Sequence, residues 1–581
     1  MHEKELFEKQ AKERGERIVE IVSSKAQRKV VVSGPGTGKT FLFKEILKGK
    51  TGDCLALTFI NNFAGKLADE LGGRAKCCTF HKYCKGLLHS LACDGISTRF
   101  FFYPKLILLI RSDAHLSGRD FDFKHCFRRL ERSSDALRFF LQHADYYDAV
   151  AFDDSVYRVM SHFEKTPSDI PAYEQVVVDE YQDFNLLEMS FLDLLASKSN
   201  ILIVGDDDQA LYGQLKDANP EFIRQKYNDG VFAPFQLPFC NRCTEVIVGA
   251  VNDVVDYAKR FTMLQGRIDK EYICFLPGKE NDNKKHPHIA QVYCSTQTKK
   301  IPYISRFIEQ QIRRIPPEEV LAINEKADFT VLVTGPKHYL EQVHHYFQGS
   351  KEFIVCIDYK KQDASQSSVN LKEGFEILLA NQNSNLGWRI LSECDTVNGF
   401  DAIVREAVSG GKPLKEVLPE KFINKHNGIL SLLTRLKAGD KLISREKEII
   451  EKTFDCEIEA ISQWLETLSS KEEVIIEPRD KSKVSIILTT YVGCKGLSAG
   501  HVFALGLNEG ILPVRNSNPS DIEICQFIVI LTRATEKCYL ISAGRFSGQP
   551  AGRPAVFLNW IDKRRLSRIV VDKDYWPKFP V

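Results

Sequence analysis

The sequence predicts an α/β fold made of two parallel-sheet lobes, each interrupted by a mainly helical insertion. Three observations carry this expectation. Short β-branched runs recur in two series along the chain, and each run ends in a turn signal. The runs are continuously apolar rather than alternating, as in strands covered by helices on both faces. Two long stretches between them instead carry apolar residues at helical spacing.

The first series reads RKVVVSG, DCLALTF, EQVVVDE and NILIVGD, and the second reads DFTVLVTG, VSIILTT, HVFALGL and CYLIS. Between the early runs, FRRLERSSDALRFFLQH reads as helix; between the late runs, NGILSLLTRLKAG and IEAISQWLETL do the same. The expected division is therefore a first lobe of residues 1–84 and 166–236 with an insertion at 85–165. The second lobe is 237–370 and 481–581, with an insertion at 371–480. The polar segment GKENDNKKHP at 278–287 ends in proline and reads as a surface loop.

Composition excludes several classes. The opening MHEKELFEKQ is charged, and LILLI at 106–110 runs straight into Arg111 and Asp113, so neither an export signal nor a membrane span is expected. The expectation is a cytoplasmic protein with no membrane partner. A chain this long with no export signal does not use its 16 cysteines as a disulfide framework, so reduced thiols follow. Cys240-x-x-Cys243 has no second pair at zinc-finger spacing, and the 14 histidines show no HExxH spacing. A net charge of +2 provides no broad basic face, so any nucleic-acid binding has to rest on a local groove.

The strongest local signal is SGPGTGKT, Ser33 to Thr40, between the strand RKVVV and the helical FLFKEIL. This is the strand–loop–helix context of a phosphate-binding loop. Ser33, Gly34, Pro35, Gly36, Thr37 and Gly38 shape the cradle, with the glycines letting backbone N–H groups curl around phosphates. Lys39 reaches the β/γ oxygens, and Thr40 offers its hydroxyl to Mg²⁺. At the end of QVVVDE, Asp179 and Glu180 emerge at the carboxyl edge of a predicted strand, where open α/β sheets bind ligands. Alone, such a pair is ordinarily a solvated turn. Beside the loop it suits hydrolysis, one carboxylate holding Mg²⁺ and the other deprotonating water. ATP and Mg²⁺ are the expected cofactors.

The motifs that follow come in a telling order: ALTFINNFAGKLADEL at 56–71, TFHKYC at 79–84, VVDEYQD at 177–183, VGDDDQALYG at 204–213, CNRC at 240–243, CKGL at 494–497 and LTRAT at 531–535. In this order the chain resembles the UvrD/Rep-like branch of the superfamily 1 DNA helicases, through both lobes. The resemblance implies two RecA-like lobes, with insertions where this family places its accessory subdomains. It implies that Gln209 senses the γ-phosphate and that Arg242 and Arg533 are arginine fingers delivered from the distant half of the chain. A guanidinium delivered from the opposite lobe ties hydrolysis to domain motion. The same resemblance places Phe59, Asn61, His81 and Tyr212 along a groove for single-stranded DNA, where stacking binds a strand without demanding sequence.

The chain departs from the family pattern at several points. YGQLKDA replaces the family's YxWRGA, so Leu215 and Lys216 stand where a ring and an arginine are usual. No glutamine stands at the usual distance upstream of the loop, Gln10 being too far, and Asn241 takes the aromatic position before Arg242, with Phe239 as the nearby ring. Relaxed selectivity for the nucleotide base is the expectation. Val492 and Ser498 replace a family histidine and glutamate.

The resulting functional expectation is an ATP-dependent translocase and helicase, moving 3′ to 5′ by family resemblance, on single-stranded and partly duplex DNA. A separate protein such as a nuclease is a possible partner. Two alternatives stay open: a nucleotide-gated DNA-binding effector subunit with little processive unwinding, and an RNA-directed superfamily 1 motor.

Overall fold

The first series of runs forms a six-stranded, fully parallel sheet. Its strands are β1 (Arg28–Ser33), β2 (Cys54–Thr58), β3 (Lys76–Thr79), β4 (Gln175–Val178), β5 (Ile201–Gly205) and β6 (Ala233–Leu237), in the order β3-β2-β4-β5-β1-β6. The computed structural model describes residues 2–58, 61–91, 95–350, 352–359, 368–395, 397–468 and 480–578. β1 is the hub: Val30 pairs with Ile203 of β5 on one side and with Pro234 of β6 on the other. Val31, Leu42, Phe43, Leu202 and Val204 pack one face into a single core. The sequence reading missed β3, only four residues long, and β6, whose Pro234 and partly exposed side chains suit an edge strand.

The second series forms β8 (Phe329–Thr334), β10 (Ser485–Thr489), β11 (Ala499–Ala504) and β12 (Ala534–Phe546). Three further parallel strands, β7 (Ile289–Gln297), β9 (Ile354–Ile357) and β13 (Leu566–Val571), complete the order β9-β10-β8-β11-β12-β7-β13. Gln549–Pro550 folds back antiparallel on β12. Helices Glu245–Arg260 and Asp521–Leu531 cover one face through Val251, Val254, Phe527 and Ile528. Helices Tyr303–Arg313 and Lys337–Phe347 cover the other through Phe307, Ile308, Tyr339 and Val343. The expected α/β fold with parallel sheets is thus present. The segment read as a loop at 278–287 contains a short helix, Glu280–Lys285, because its lysines and acids are compatible with a helix that buries nothing.

The chain divides into two compact units. One, Met1–Phe80, Pro171–Asp363 and Arg479–Val581, contains both sheets. The other, His81–Ile170 and Ala364–Pro478, is built from both helical stretches. Within this second unit, Asp113 and Arg389, 276 residues apart, form an ion pair at 2.7 Å with both side chains wholly buried, and the Tyr147 hydroxyl donates to Asp113 at 2.7 Å. Buried charges persist when paired and hydrogen-bonded in this way. Phe375, Trp388, Leu391 and Leu433 form the adjoining apolar core.

FRRLERSSDALRFFLQH, read as one helix, is two: Phe123–Arg128 and Asp135–Tyr147. Leu130 takes the left-handed backbone conformation (φ 54°), and the Ser134 hydroxyl oxygen caps the second helix by accepting the Leu137 amide. Such a cap is favoured at Ser and ends the preceding turn. No described helix is long and apolar enough to cross a membrane.

Candidate active site

Because the first sheet is parallel, the carboxyl ends of β1, β4 and β5 lie along one edge, and the residues that follow them meet there. After β1, the loop turns into helix Lys39–Leu47 through Gly38 (φ 97°). Gly36 is also left-handed (φ 72°), and a Cβ there would fall 2.4 Å from the Arg242 Cβ, so only glycine lets the CNRC segment lie against the loop. The Asn241 amide donates to the Gly36 carbonyl at 2.9 Å, and the Tyr272 hydroxyl donates to the Pro35 carbonyl at 2.9 Å. The Ser33 and Thr37 hydroxyls, both buried, are 2.6 Å apart and brace the loop from behind. Ser33 in place of a smaller residue thus has a structural use.

Lys39, Thr40, Asp179, Glu180, Gln209, Arg242 and Arg533 line one cleft of about 470 Å³, together with Pro35, Gly36 and Gly38. Lys39 Nζ donates to Glu180 Oε1 at 2.9 Å, and Gln182 donates to Glu180 Oε2 at 2.6 Å. Glu180 itself sits at φ 54°, a conformation costly for a residue with a side chain. Burial works against its charge, yet Lys39 and Lys495 overcome it and hold the Glu180 carboxyl below the usual range. Burial and the neighbouring Glu180 charge push Asp179 up. The two carboxyls therefore differ in proton affinity, one firmly ionised and the other poised.

Gln209 is held at both ends of its amide. Its Nε2 donates to Asp206 at 2.8 Å, and its Oε1 accepts from Arg533 Nη2 at 3.3 Å. Arg533 is buried and also donates to the Val529 carbonyl at 3.0 Å. Burial and the Arg242 charge lower its proton affinity. Arg242 stands half-buried on the cleft wall.

Three features of this site escaped the sequence reading. Lys495 of CKGL is buried and donates to Asp183 and to the Gln209 carbonyl, with Glu180 Oε2 at 3.7 Å. The motif had been recognised, but not its lysine. Second, Asp206, Asp207 and Asp208 are all buried around Lys270, whose ammonium lies 2.7 Å from Asp206 and 3.0 Å from Asp208 and also contacts Asp207. Arg267 and Arg224 complete the neutralisation at 2.7 Å and 3.1 Å. Removing one member of such an array strands a buried charge, at a cost of about 3–5 kcal/mol. No motif around Lys270 signals this role. Third, the ring at the cleft mouth is the exposed Phe41, with Arg14 beside it, its guanidinium 5.9 Å from the Phe41 ring and 4.8 Å from that of Phe275. Phe239 is buried in the fold, and the Gln10 amide is spent on the Cys274 carbonyl (3.3 Å) and the Leu276 amide (2.9 Å).

The residues expected along DNA are less concentrated. Tyr212 is half-buried, with Lys216 Nζ 5.4 Å and Lys495 Nζ 5.3 Å from its ring. Leu215 is exposed. Asn61 is the first residue of helix Asn61–Leu71. Phe59 lies outside the described residues. His81 belongs to the helical unit, where its Nε2 is 3.7 Å from Asp153 and its ring meets Phe152 edge-on at 5.4 Å.

Comparison with known proteins agrees with this geometry. A family model described as an AAA domain matches residues 17–214. The ATP-dependent DNA helicase PcrA of Staphylococcus aureus is 23% identical over 493 residues, covering 72% of this chain and 62% of PcrA. The PcrA of Staphylococcus epidermidis is 22% identical over 485 residues, covering 71% and 62%. The alignment thus extends well beyond the first lobe. Together these similarities support the resemblance to UvrD/Rep-like superfamily 1 proteins over 71–72% of the chain. The chain spans 62% of the length of these relatives. Within that family frame, Ser498, at the position of a family glutamate, lines the cleft and donates to Asp328 at 2.9 Å.

Proposed function

We propose that this chain is a DNA-stimulated ATPase that travels along single-stranded DNA, 3′ to 5′, and unwinds duplex as it goes. The observation that supports this best is that Arg242 and Arg533, both from stretches expected to form the second lobe, line the same cleft as Lys39, Asp179 and Glu180. In this reading Lys39 binds the β/γ oxygens, Glu180 takes the proton of the attacking water, and Gln209 senses the γ-phosphate. Arg242 and Arg533 stabilise transition-state charge from the second lobe. The Thr40 hydroxyl and the Asp179 carboxylate are hard oxygen donors on the cleft wall, a set that fits Mg²⁺. When bound, Mg²⁺ neutralises phosphate charge. Lys495 and Tyr212 join the cleft to the expected strand groove, since Lys495 contacts Gln209 and Tyr212 together.

The deciding experiment compares ATPase stimulation by matched DNA and RNA oligonucleotides, followed by stopped-flow release of a strand-end label. The expected result is at least tenfold greater stimulation by DNA, with a lag that lengthens with strand length. Stimulation by RNA alone would move the track to RNA. DNA stimulation without a length-dependent lag would make the protein a nucleotide-gated switch.

Base selectivity is a second expected outcome. With Gln10 and Phe239 both engaged inside the fold, the base meets Phe41 and Arg14, which stack without reading hydrogen bonds. Steady-state hydrolysis of ATP, GTP, CTP and UTP should give kcat/KM values within about tenfold of one another, because neither Gln10 nor Phe239 is placed to read the base. A hundredfold preference for ATP would reject this.

A further inference from the structure

Four elements of the second lobe converge on a buried group that nucleotide chemistry does not use. His286 caps the C-terminus of helix Glu280–Lys285, Glu319 lies in the first turn of helix Pro317–Lys326, His501 is on β11 and Glu536 is on β12. His286 is 7% exposed, Glu319 8% and His501 4%, while Glu536 is half-buried. His286 Nε2 makes no hydrogen bond of normal geometry, although it is fully enclosed. It faces two carboxylates, with Glu536 Oε2 at 3.4 Å and Glu319 Oε1 at 3.7 Å. All three ligand atoms lie within 4.8 Å of one another.

We infer that His286, Glu319 and Glu536 form a binding site for a divalent first-row transition-metal ion of the zinc or manganese class. Metal–nitrogen and metal–oxygen bonds of about 2.0–2.2 Å place neighbouring ligands of a tetrahedron about 3.3–3.6 Å apart. Of the two separations around His286, 3.4 Å falls in this range and 3.7 Å lies just above it, and both exceed a good hydrogen bond. One imidazole nitrogen with two carboxylate oxygens suits Zn²⁺, Mn²⁺ or Co²⁺, and three protein donors leave room for water.

The surrounding groups orient the ligands. His501 Nε2 lies 3.2 Å from Glu319 Oε1, and Lys285 donates to the other Glu319 oxygen. Such outer contacts fix a ligating carboxylate. The competing occupant of the same space is a proton on His286, shared between the carboxylates, and Lys285 and Lys537 are the neighbouring cations that oppose a bound ion. Glu536 follows Arg533 by three residues and lines the nucleotide cleft, so a bound ion would pin the start of β12. That last consequence rests on the proposed nucleotide reading; the metal site does not.

The test uses the full chain, stripped with chelator and titrated at pH 7.5 with Co²⁺ alone, without nucleotide, while visible d–d absorption is recorded. One equivalent per chain is expected to bind, and Zn²⁺ is expected to displace it and raise the melting temperature. His286→Ala and the isosteric Glu319→Gln are each expected to weaken binding about 100-fold or more and to abolish the Zn²⁺-dependent rise in melting temperature. Asp179→Asn is expected to leave the absorption unchanged. Absence of a stoichiometric band in the wild type overturns the site, as does a band that survives both ligand substitutions. A band lost in Asp179→Asn but kept in His286→Ala overturns it too, placing the ion in the nucleotide cleft instead. Melting curves of the variants without metal show whether each is folded.

Discussion

Lys39→Ala lowers strand-stimulated ATP hydrolysis by at least about 1,000-fold, measured in a coupled phosphate-release assay at saturating DNA. The size follows from where Lys39 sits. Its ammonium is the positive charge at the floor of the cleft, anchored by the first residue of helix Lys39–Leu47 and held 2.9 Å from Glu180. Alanine removes the charge proposed to meet the β/γ oxygens and also the largest attraction on the Glu180 carboxylate. With the lysine gone, burial raises the proton affinity of Glu180, so the group proposed to accept a proton is less fully ionised. Both losses act in one direction. Lys39 is a partly exposed cleft residue, and the fold should survive, with thermal melting close to wild type. Substantial strand-stimulated turnover by this variant would remove Lys39, and the loop with it, from the assigned role.

Arg242→Lys is the second large effect: kcat falls about 10³-fold or more, the scale of an arginine finger, while binding of a fluorescent nucleotide changes only several-fold. Arg242 is the better probe of the two arginines because of their surroundings. Arg533 is buried, bonded to Val529 and Gln209, and replacing it mixes catalysis with stability. Arg242 stands on the cleft wall, on a segment whose neighbours Asn241 and Cys240 pack against the loop. Lysine keeps the charge but not the planar fork, so a finger that works by bidentate geometry fails while a mere counter-charge persists. Single-turnover kinetics separate these outcomes. A variant with wild-type kcat and raised KM would show that Arg242 only binds substrate.

Much of the fold was legible because buried parallel strands are continuous apolar runs, and β1, β2, β4 and β5 of the first sheet carry that mark. Where the mark weakens, the reading failed. β6 mixes proline and glutamine at an edge, β3 is short, and the helical reading of 127–143 ran through the break that Ser134 caps. Candidate residues that share the cleft were legible where a local spacing marks them, as in Ser33 to Thr40 and in Asp179 with Glu180. Residues whose role is to neutralise or to brace carry no such spacing. Lys270 looks like any lysine until three aspartates are folded around it. Phe239 looked available, and the fold had already buried it.

By itself, the sequence determined the parallel α/β sheets, the glycine-rich strand–loop–helix and the order of motifs that carries the family resemblance, because strand burial and loop geometry are written in neighbouring residues. Only the tertiary structure decided which distant groups meet. It brought Arg533 to Gln209 and Lys495 to Asp183, and it joined the two insertions through Asp113 and Arg389. It also gathered His286, Glu319 and Glu536 from three separate elements. Contacts of this kind depend on the packing of sheets and helices across hundreds of residues, and a charge or an imidazole acquires its role only from the partners that packing supplies.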